Sequence, residues 1–226
     1  MIWEYLIFNL IIVAGPIALS FEKGVHYVGR WKFAFRAIIL VLIPFIIWDA
    51  LVTGRHWWFN EQYIMGVQLL GLPLEEWLFF ITVPFSVLFI WEIFSRKTGN
   101  PISENLKFIK KIFFIFPLAG IIFFLTGKEY TGLSLIALGI AGILDKILAT
   151  EILARKNTYY FLGIIFLLNL VFNGYLTGRP VVLYHESYQL GIRIITIPIE
   201  DFIYGISMLL MNTILFEKFK RLYHEA

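Results

Sequence analysis

The stretch LPLEEWLFFITVPF, residues 72–85, places two adjacent acids at the start of an apolar run long enough to enter a membrane. A carboxylate in apolar surroundings loses solvation worth several kcal/mol or changes its protonation state. Pro73 marks a helix start, because proline fits the first helical turn. One interpretation of Glu75 and Glu76 is therefore a cap at the membrane surface, where the helix dipole favours negative charge. The other is an acidic site inside the protein.

The same pattern returns 125 residues later, as PIED at residues 198–201. Further matches lie upstream at nearly the same spacing: TGR at 53–55 and 177–179, and glycine at 66 and 191. Chance similarity between apolar segments would match leucine and isoleucine, whereas these matches fall on charged residues, proline and glycine. The chain therefore contains an internal repeat. A cap needs no matching acid pair in a second copy, so the duplication favours a functional site.

The composition is typical of a membrane protein. Of 226 residues, 59% are hydrophobic and 15% are charged, against roughly a quarter charged in soluble domains; the mean hydropathy is +0.79. The segments lack the alternation of β-barrel strands, and helices then satisfy the backbone in lipid. We predict an all-α polytopic membrane protein with seven transmembrane helices. The seven apolar runs are residues 2–20, 31–52, 73–94, 112–126, 131–150, 159–176 and 198–216.

Lysine and arginine in the loops predict the orientation. Thirteen lie in one set of loops and four, Arg55, Lys128, Arg179 and Arg193, lie in the other. The richer set belongs in the cytoplasm, which places the N-terminus outside and the C-terminus inside. The start of the chain lacks a basic segment and a cleavage site, so its apolar run is expected to be a retained span.

The repeat predicts how this one membrane domain, residues 1–226, is divided. Residues 1–97 form a first three-helix repeat, residues 98–128 a connector helix and residues 129–226 a second three-helix repeat. Four spans separate the copies, so both have the same orientation and are related by an axis along the membrane normal. Both acid pairs are then expected on the outer side, at the starts of spans 3 and 7.

Helical register suggests which acid of each pair reacts. Glu75 shares a face with Phe79, Thr82 and Ser86, and Glu200 shares a face with Tyr204, Ser207 and Met211. These stripes are the more polar ones, so we predict that they face the interior. Glu75 and Glu200 are the expected chemical groups, with Glu76 and Asp201 as partners that tune them. Two acids this close titrate as a pair, and one of them is held protonated as a general acid.

Other residues near the acids are candidates for binding. Arg55 and Arg179 are candidates to neutralise the acids, contact lipid phosphate or end the spans. Asp49 and Asn173 are expected either to hydrogen-bond to the acids or to cap helices. Four aromatic residues offer π faces that stabilise a carbocation; they are Trp77, Phe79, Phe202 and Tyr204.

Several classes of function have no support in the sequence. The absence of cysteine excludes thiolate chemistry, and the four histidines are scattered, so no metal site is expected. A dinucleotide fingerprint is lacking, and no cofactor is predicted. The net charge of +3 comes without a basic stripe, which argues against nucleic acid. Span 7 has no lysine, so a retinal Schiff base there is excluded.

A doubled P-x-E-[ED] motif in a small helical membrane protein resembles the lycopene cyclases of the heterodimeric type, including the forms that fuse both subunits in one chain. Here the motifs are residues 73–76 and 198–201, and the resemblance covers nearly the whole chain. It implies acid-catalysed cyclisation of the ψ-end groups of lycopene to β-ionone rings, without net redox change. The implied partners are lycopene or a related acyclic carotenoid, the lipid bilayer of the cell membrane and other enzymes of the carotenoid pathway.

By this resemblance, an acid protonates C2 of the terminal double bond, the C5=C6 bond attacks the C1 cation, and a base removes a proton from C6. Glu75 or Glu200 is the implied acid. Two alternatives remain open. A transporter or proton relay is favoured if water follows Thr82, Ser86 and Ser207. A polyprenyl-transferring enzyme needs aspartate-rich Mg²⁺ sites, but the aspartates of this chain lie far apart in sequence.

Overall fold

Helices form over all the apolar runs. The computed structural model describes residues 2–98 and 101–225; residues 1, 99, 100 and 226, at the termini and within the predicted connector, lie outside the described residues. Over the described residues the chain forms eight α-helices. They are α1 (Glu4–Leu19), α2 (Trp31–Val52), α3 (Leu74–Thr98), α4 (Ile109–Phe113), α5 (Phe116–Leu125), α6 (Glu129–Ile147), α7 (Lys156–Gly178) and α8 (Ile199–Glu225).

Within residues 2–98 and 101–225, six helical segments are long and apolar enough to cross a membrane. They are α2 with the turn before it, α3, the segment Glu104–Leu125, α6, α7 and α8. The predicted first span, α1, has 16 residues, or about 24 Å at 1.5 Å per residue, against a hydrocarbon core of about 30 Å. The protein is thus an integral membrane protein with six helices of spanning length in its described part.

The predicted fourth span is divided into α4 and α5. The break at Phe114 and Ile115 comes just before Pro117, which has no N–H to donate to the carbonyl of Phe113. Helix α5 then packs closely on α6. A Cβ atom added to Gly120 would lie 2.6 Å from the carbonyl oxygen of Gly132, so only glycine permits this approach.

Three short antiparallel ribbons in the loops are the exception to the all-α prediction. Strand β1 (Trp57–Phe59) pairs with β4 (Val182–Tyr184), β2 (Gln68–Leu69) with β3 (Leu72–Pro73), and β5 (Arg193–Ile194) with β6 (Ile197–Pro198). The fold is mostly helical, as expected. Strands of two or three residues are too short to show the alternation by which a sequence reveals them.

The helices of the two sequence halves interleave. Helix α1 packs on α3 and α6 packs on α8, but α2 packs on α8 and α3 packs on α7, and α3 also contacts α8. Two ion pairs also join the two sequence halves: Arg55 contacts Glu129, and Arg179 contacts Glu4. Because α3 and α8 meet at the centre, their N-terminal acids come together although 125 residues separate them.

Candidate active site

A cavity of about 390 Å³ lies among α1, α3, α7 and α8, and the second acid of each pair lines it. Glu76 and Asp201, 8% and 5% exposed, are joined at the cavity by a third carboxyl group, Asp49 of α2. The remaining walls are largely apolar. Polar side chains that line the cavity besides the acids include Tyr5, Tyr130, Asn173 and Tyr184.

Asp201 accepts three side-chain hydrogen bonds. The hydroxyl of Tyr130 donates to Oδ1 at 2.5 Å, while the hydroxyl of Tyr184 and the amide of Asn173 donate to Oδ2 at 2.6 and 2.7 Å. Burial and the neighbouring Asp201 carboxylate raise the pKa of Tyr184 well above its ordinary value, so this loop phenol stays protonated and donates. Hydrogen bonds to a carboxylate favour its ionised form.

Glu76 has fewer donors. The hydroxyl of Tyr5 donates to its Oε2 at 2.5 Å. Nearby, Asp49 accepts at Oδ1 from the indole of Trp57 at 2.7 Å and from the hydroxyl of Thr53 at 3.1 Å. The Oδ2 atom of Asp49 is buried, with no hydrogen-bond partner among the described residues. Among the described residues, Glu76 thus receives one side-chain hydrogen bond, whereas Asp201 receives three.

The first acid of each pair instead holds the loop before its helix. Glu75 accepts at Oε1 from the backbone N–H of Met65 at 2.6 Å. Glu200 accepts at Oε1 from the backbone N–H of Leu190 at 2.8 Å and from the hydroxyl of Thr131 at 2.6 Å. The glycines that follow these two amides, at 66 and 191, have φ of +80° and +77°, a conformation that glycine adopts readily.

The two predicted stripes lie partly at the cavity, because Phe79, Ser86 and Tyr204 line it. Thr82 instead donates to Asn9 of α1 at 2.6 Å, and Ser86 also donates to the carbonyl of Ile12 at 3.0 Å. Glu75 and Glu200 are fully buried against their loops. Of the two acid pairs, the members that line the cavity are Glu76 and Asp201.

Four of the predicted binding residues line the cavity: Asp49, Phe79, Asn173 and Tyr204. The other four lie elsewhere. Trp77 donates to the carbonyl of Leu69 in the hairpin at 3.0 Å, and Phe202 packs on Phe166 with ring centroids 4.9 Å apart. Arg55 and Arg179 do not line the cavity; 55% and 53% of their side chains are exposed, and they join the two halves through Glu129 and Glu4.

Sequence reasoning missed the tyrosines that bind the carboxylates. A signal for two of them was present, because Glu4-Tyr5 and Glu129-Tyr130 repeat at the offset of 125 found for the acids. Tyr184 has no such signal, since it reaches Asp201 from the β1–β4 ribbon. In the part of the chain that the structure describes, no group of three or more His, Asp or Glu residues is arranged to hold a metal ion.

The fold and the cavity define a polytopic membrane protein with an acidic pocket walled by apolar side chains. Comparison with known proteins specifies the class. The family model described as Lycopene cyclase matches residues 3–94 and, a second time, residues 127–219. These matches cover most of the chain, which therefore belongs to the lycopene cyclase family, and this membership supports an enzyme of carotenoid cyclisation.

A curated relative is the bifunctional lycopene cyclase/phytoene synthase of Leptosphaeria maculans, which is 28% identical over 87 residues. That alignment covers 38% of this chain and 15% of the relative, so it spans far less than two thirds of the relative's length. No solved structure matches the chain.

Proposed function

We propose that this protein cyclises the ψ-end groups of lycopene or a related acyclic carotenoid to β-ionone rings, by acid catalysis and without net redox change. The observation that carries the proposal is the meeting of Glu76 and Asp201, from matched sequence positions, in one largely apolar cavity. A hydrocarbon offers no polar group for recognition, so its enzyme needs apolar walls and a proton donor. This cavity supplies both.

The proposal includes a parallel repeat whose halves are related by a two-fold axis. In support, the β2–β3 and β5–β6 hairpins have the same register 125 residues apart. The β1–β4 ribbon centres on Trp58 opposite Leu183. These two residues are themselves 125 positions apart. A two-fold axis through the pair therefore places each half of the chain on the other. In this arrangement the short helix α1 also crosses the membrane, which brings the number of membrane helices to seven.

The loop charges support an orientation with the N-terminus outside and the C-terminus in the cytoplasm. The acids then lie at the outer side of the membrane, where α3 and α8 begin. The repeat boundaries proposed are residues 1–97 and 129–226, with residues 98–128 as the connector.

The hydrogen bonds suggest how the proton work is divided. Glu76, with the Tyr5 hydroxyl as its side-chain donor, is the proton donor to C2. Asp201, held by Tyr130, Tyr184 and Asn173, is the carboxylate that takes the proton from C6. Glu75 and Glu200 are positioning residues that fix the loops over the cavity. Asp201 then returns the proton to Glu76 within the shared cavity. Both carboxyl groups are thereby restored, and no proton is gained or lost overall.

Between the two proton transfers the substrate carries a positive charge, first at C1 and, once the C1–C6 bond has formed, at C5. Aromatic rings beside the acids can stabilise that charge through their π faces. Phe79, Tyr204 and Trp57 line the cavity together with Glu76 and Asp201. The ring faces and the carboxylate of Asp201 thus provide electrostatic stabilisation where the charge develops.

A transporter or proton relay remains the second candidate, but the hydroxyl groups on which it depends are engaged. Thr82 donates to Asn9, Ser86 donates to backbone carbonyls, and Ser207 donates to the carbonyl of Ile203 at 2.6 Å. A water path requires groups that are free to bind water along its length. These contacts therefore favour the cyclase.

The test is expression in a lycopene-accumulating bacterium, followed by chromatography of the extracted pigments. The wild-type chain should convert lycopene to cyclised products, and Glu76→Gln should leave lycopene unchanged at equal protein level in the membrane. Unchanged lycopene with an inserted wild-type protein would contradict the cyclase proposal. A matched control is Glu104→Gln, because Glu104 is an exposed acid far from the cavity.

A further inference from the structure

The cavity breaks the two-fold symmetry of the bundle. It is lined by α1, α3, α7 and α8. In the matching region, bordered by α6, α8, α2 and α3, aromatic side chains pack together beside α8, and a separate pocket of about 500 Å³ lies on the α2–α6 side. Tyr204 packs there on Trp48 and Phe45, with ring centroids 4.8 and 5.1 Å apart, and Phe45 also approaches Phe80 at 6.5 Å.

Two matched positions account for this difference. The offset of 124 places Asn169 where the first half has Phe45, and the offset of 125 places Gly205 where it has Phe80. Phe45 and Phe80 are 3% and 2% exposed and fill the first half. Asn169 and Gly205 instead line the open cavity. A Cβ atom on Gly205 would lie 3.1 Å from Nδ2 of Asn169, so the glycine lets Asn169 pack directly on the backbone of α8.

We propose that Gly205 and Asn169 are specificity-determining residues that hold open a channel for the end of the carotenoid chain, where the first half has two buried phenylalanine rings at the matching positions. The inference rests on the proposed function, because it identifies what the apolar part of the cavity binds. It goes further in assigning one channel to both acid pairs and in naming the side chains that create it.

The depth of these residues fits the binding of an end group. Gly205 lies four residues after Asp201, and Asn169 lies four residues before Asn173, or about 6 Å along each helix. An end group that receives its proton near the carboxylates therefore rests on Gly205. The channel continues along α3 as far as Ile90, which is about 21 Å from Glu76 at the same rise per residue.

The deeper part of the channel is open towards lipid. At the acid end, α1 and α7 are joined by Phe8 stacked on Tyr175 at 6.0 Å and by Arg179 bound to Glu4. Further along α1, Gly15 and Leu19 line the cavity and are exposed. A hydrocarbon dissolved in the bilayer can therefore reach the channel between α1 and α7 without crossing water.

The test places a phenylalanine at position 205, where the first half has Phe80. Gly205→Phe should lower the rate of ring formation at least about tenfold, because a phenyl group overfills a packed site. Gly205→Ala and Gly205→Val should give intermediate losses in order of size. Gly163→Phe is the matched control, since Gly163 lies on α7 and has open space around it. It should retain wild-type activity. Each variant is assayed in lycopene-containing membranes at equal inserted protein.

A second measurement distinguishes a variant that binds lycopene weakly from one that binds it but does not form rings. In purified protein, binding of lycopene is followed by quenching of tryptophan fluorescence. Gly205→Phe should weaken binding, whereas Glu76→Gln should bind lycopene as the wild type does. If the wild type makes no rings, the proposed function fails, whatever Gly205 does. If the wild type makes rings and the inserted alanine, valine and phenylalanine variants all match it in rate and binding, the channel proposal is overturned.

Discussion

Replacing Asp201 with asparagine and, separately, Glu200 with glutamine tests whether the second acid of each pair is the reacting one. Both changes replace a carboxyl group with an amide and nearly keep the volume of the side chain. The two residues are neighbours at the start of α8 and both are buried. They differ in where the carboxylate points: Asp201 lines the cavity, whereas Glu200 is bonded to the loop before the helix.

The expected magnitudes follow from these contacts. A general base contributes about 10²- to 10⁴-fold to a rate, so Asp201→Asn should slow ring formation by that factor, or about 2.7–5.4 kcal/mol in activation free energy. Glu200 receives both of its hydrogen bonds at Oε1. A glutamine oxygen at that position keeps both and loses only their charge-assisted part, about 1 kcal/mol, which limits the loss to roughly tenfold.

The assay is the initial rate of cyclised product in membranes that contain equal amounts of inserted protein, with lycopene in excess. Circular dichroism and thermal stability of each purified variant show whether the fold is retained. If Glu200→Gln abolishes ring formation while Asp201→Asn stays near wild type, the assignment from the cavity is wrong and the assignment from helical register is restored. Equal losses of a hundredfold or more in both would also contradict the division of roles.

Three further predictions concern stability in detergent. Arg179→Glu should lower the melting temperature, because it places a second carboxylate beside Glu4, whose side chain is only 8% exposed, and adding Glu4→Arg should restore part of the loss; a double variant weaker than the single one would contradict the ion pair. Burial lowers the pKa of His56 below its ordinary 6.5, so its contribution to the free energy of unfolding should be full above pH 6.5 and decrease at lower pH. His56→Gln should flatten this pH dependence between pH 7 and 5. Gly139→Leu should cost about 1–3 kcal/mol, since a Cβ there meets Pro117 at 2.3 Å, whereas Gly163→Leu should be neutral.

Much of the helical architecture could be predicted from sequence. Apolar runs longer than about 15 residues have few alternatives to a helix in lipid, and the predicted run 31–52 coincides with α2. The length of α1 was harder to predict from sequence, because the apolar run 2–20 includes residues beyond the ends of the helix. The short ribbons carry no pattern of their own, and the β1–β4 pair depends on two loops 125 residues apart.

The positions of the acids could be predicted from sequence, but which of them line the cavity could not. Register on an isolated helix shows which residues share a face, and the polar stripe of Glu75 predicts a face towards the interior. In the structure this stripe is divided: Phe79 and Ser86 line the cavity, whereas Thr82 donates to Asn9 of α1. Which side of α3 faces the cavity depends on how α1, α7 and α8 are arranged, and this is tertiary information.

The interleaved packing explains why a duplicated acid motif forms one site here. If each half folded on its own core, Glu76 and Asp201 would lie in two separate pockets. Since α2 packs on α8 and α3 packs on α7, the N-termini of α3 and α8 are brought to the same place. At the matching positions of the first half, Phe45 and Phe80 approach each other with ring centroids 6.5 Å apart. Under the proposed function, a carotenoid with two equivalent ends presents them to this cavity one after the other.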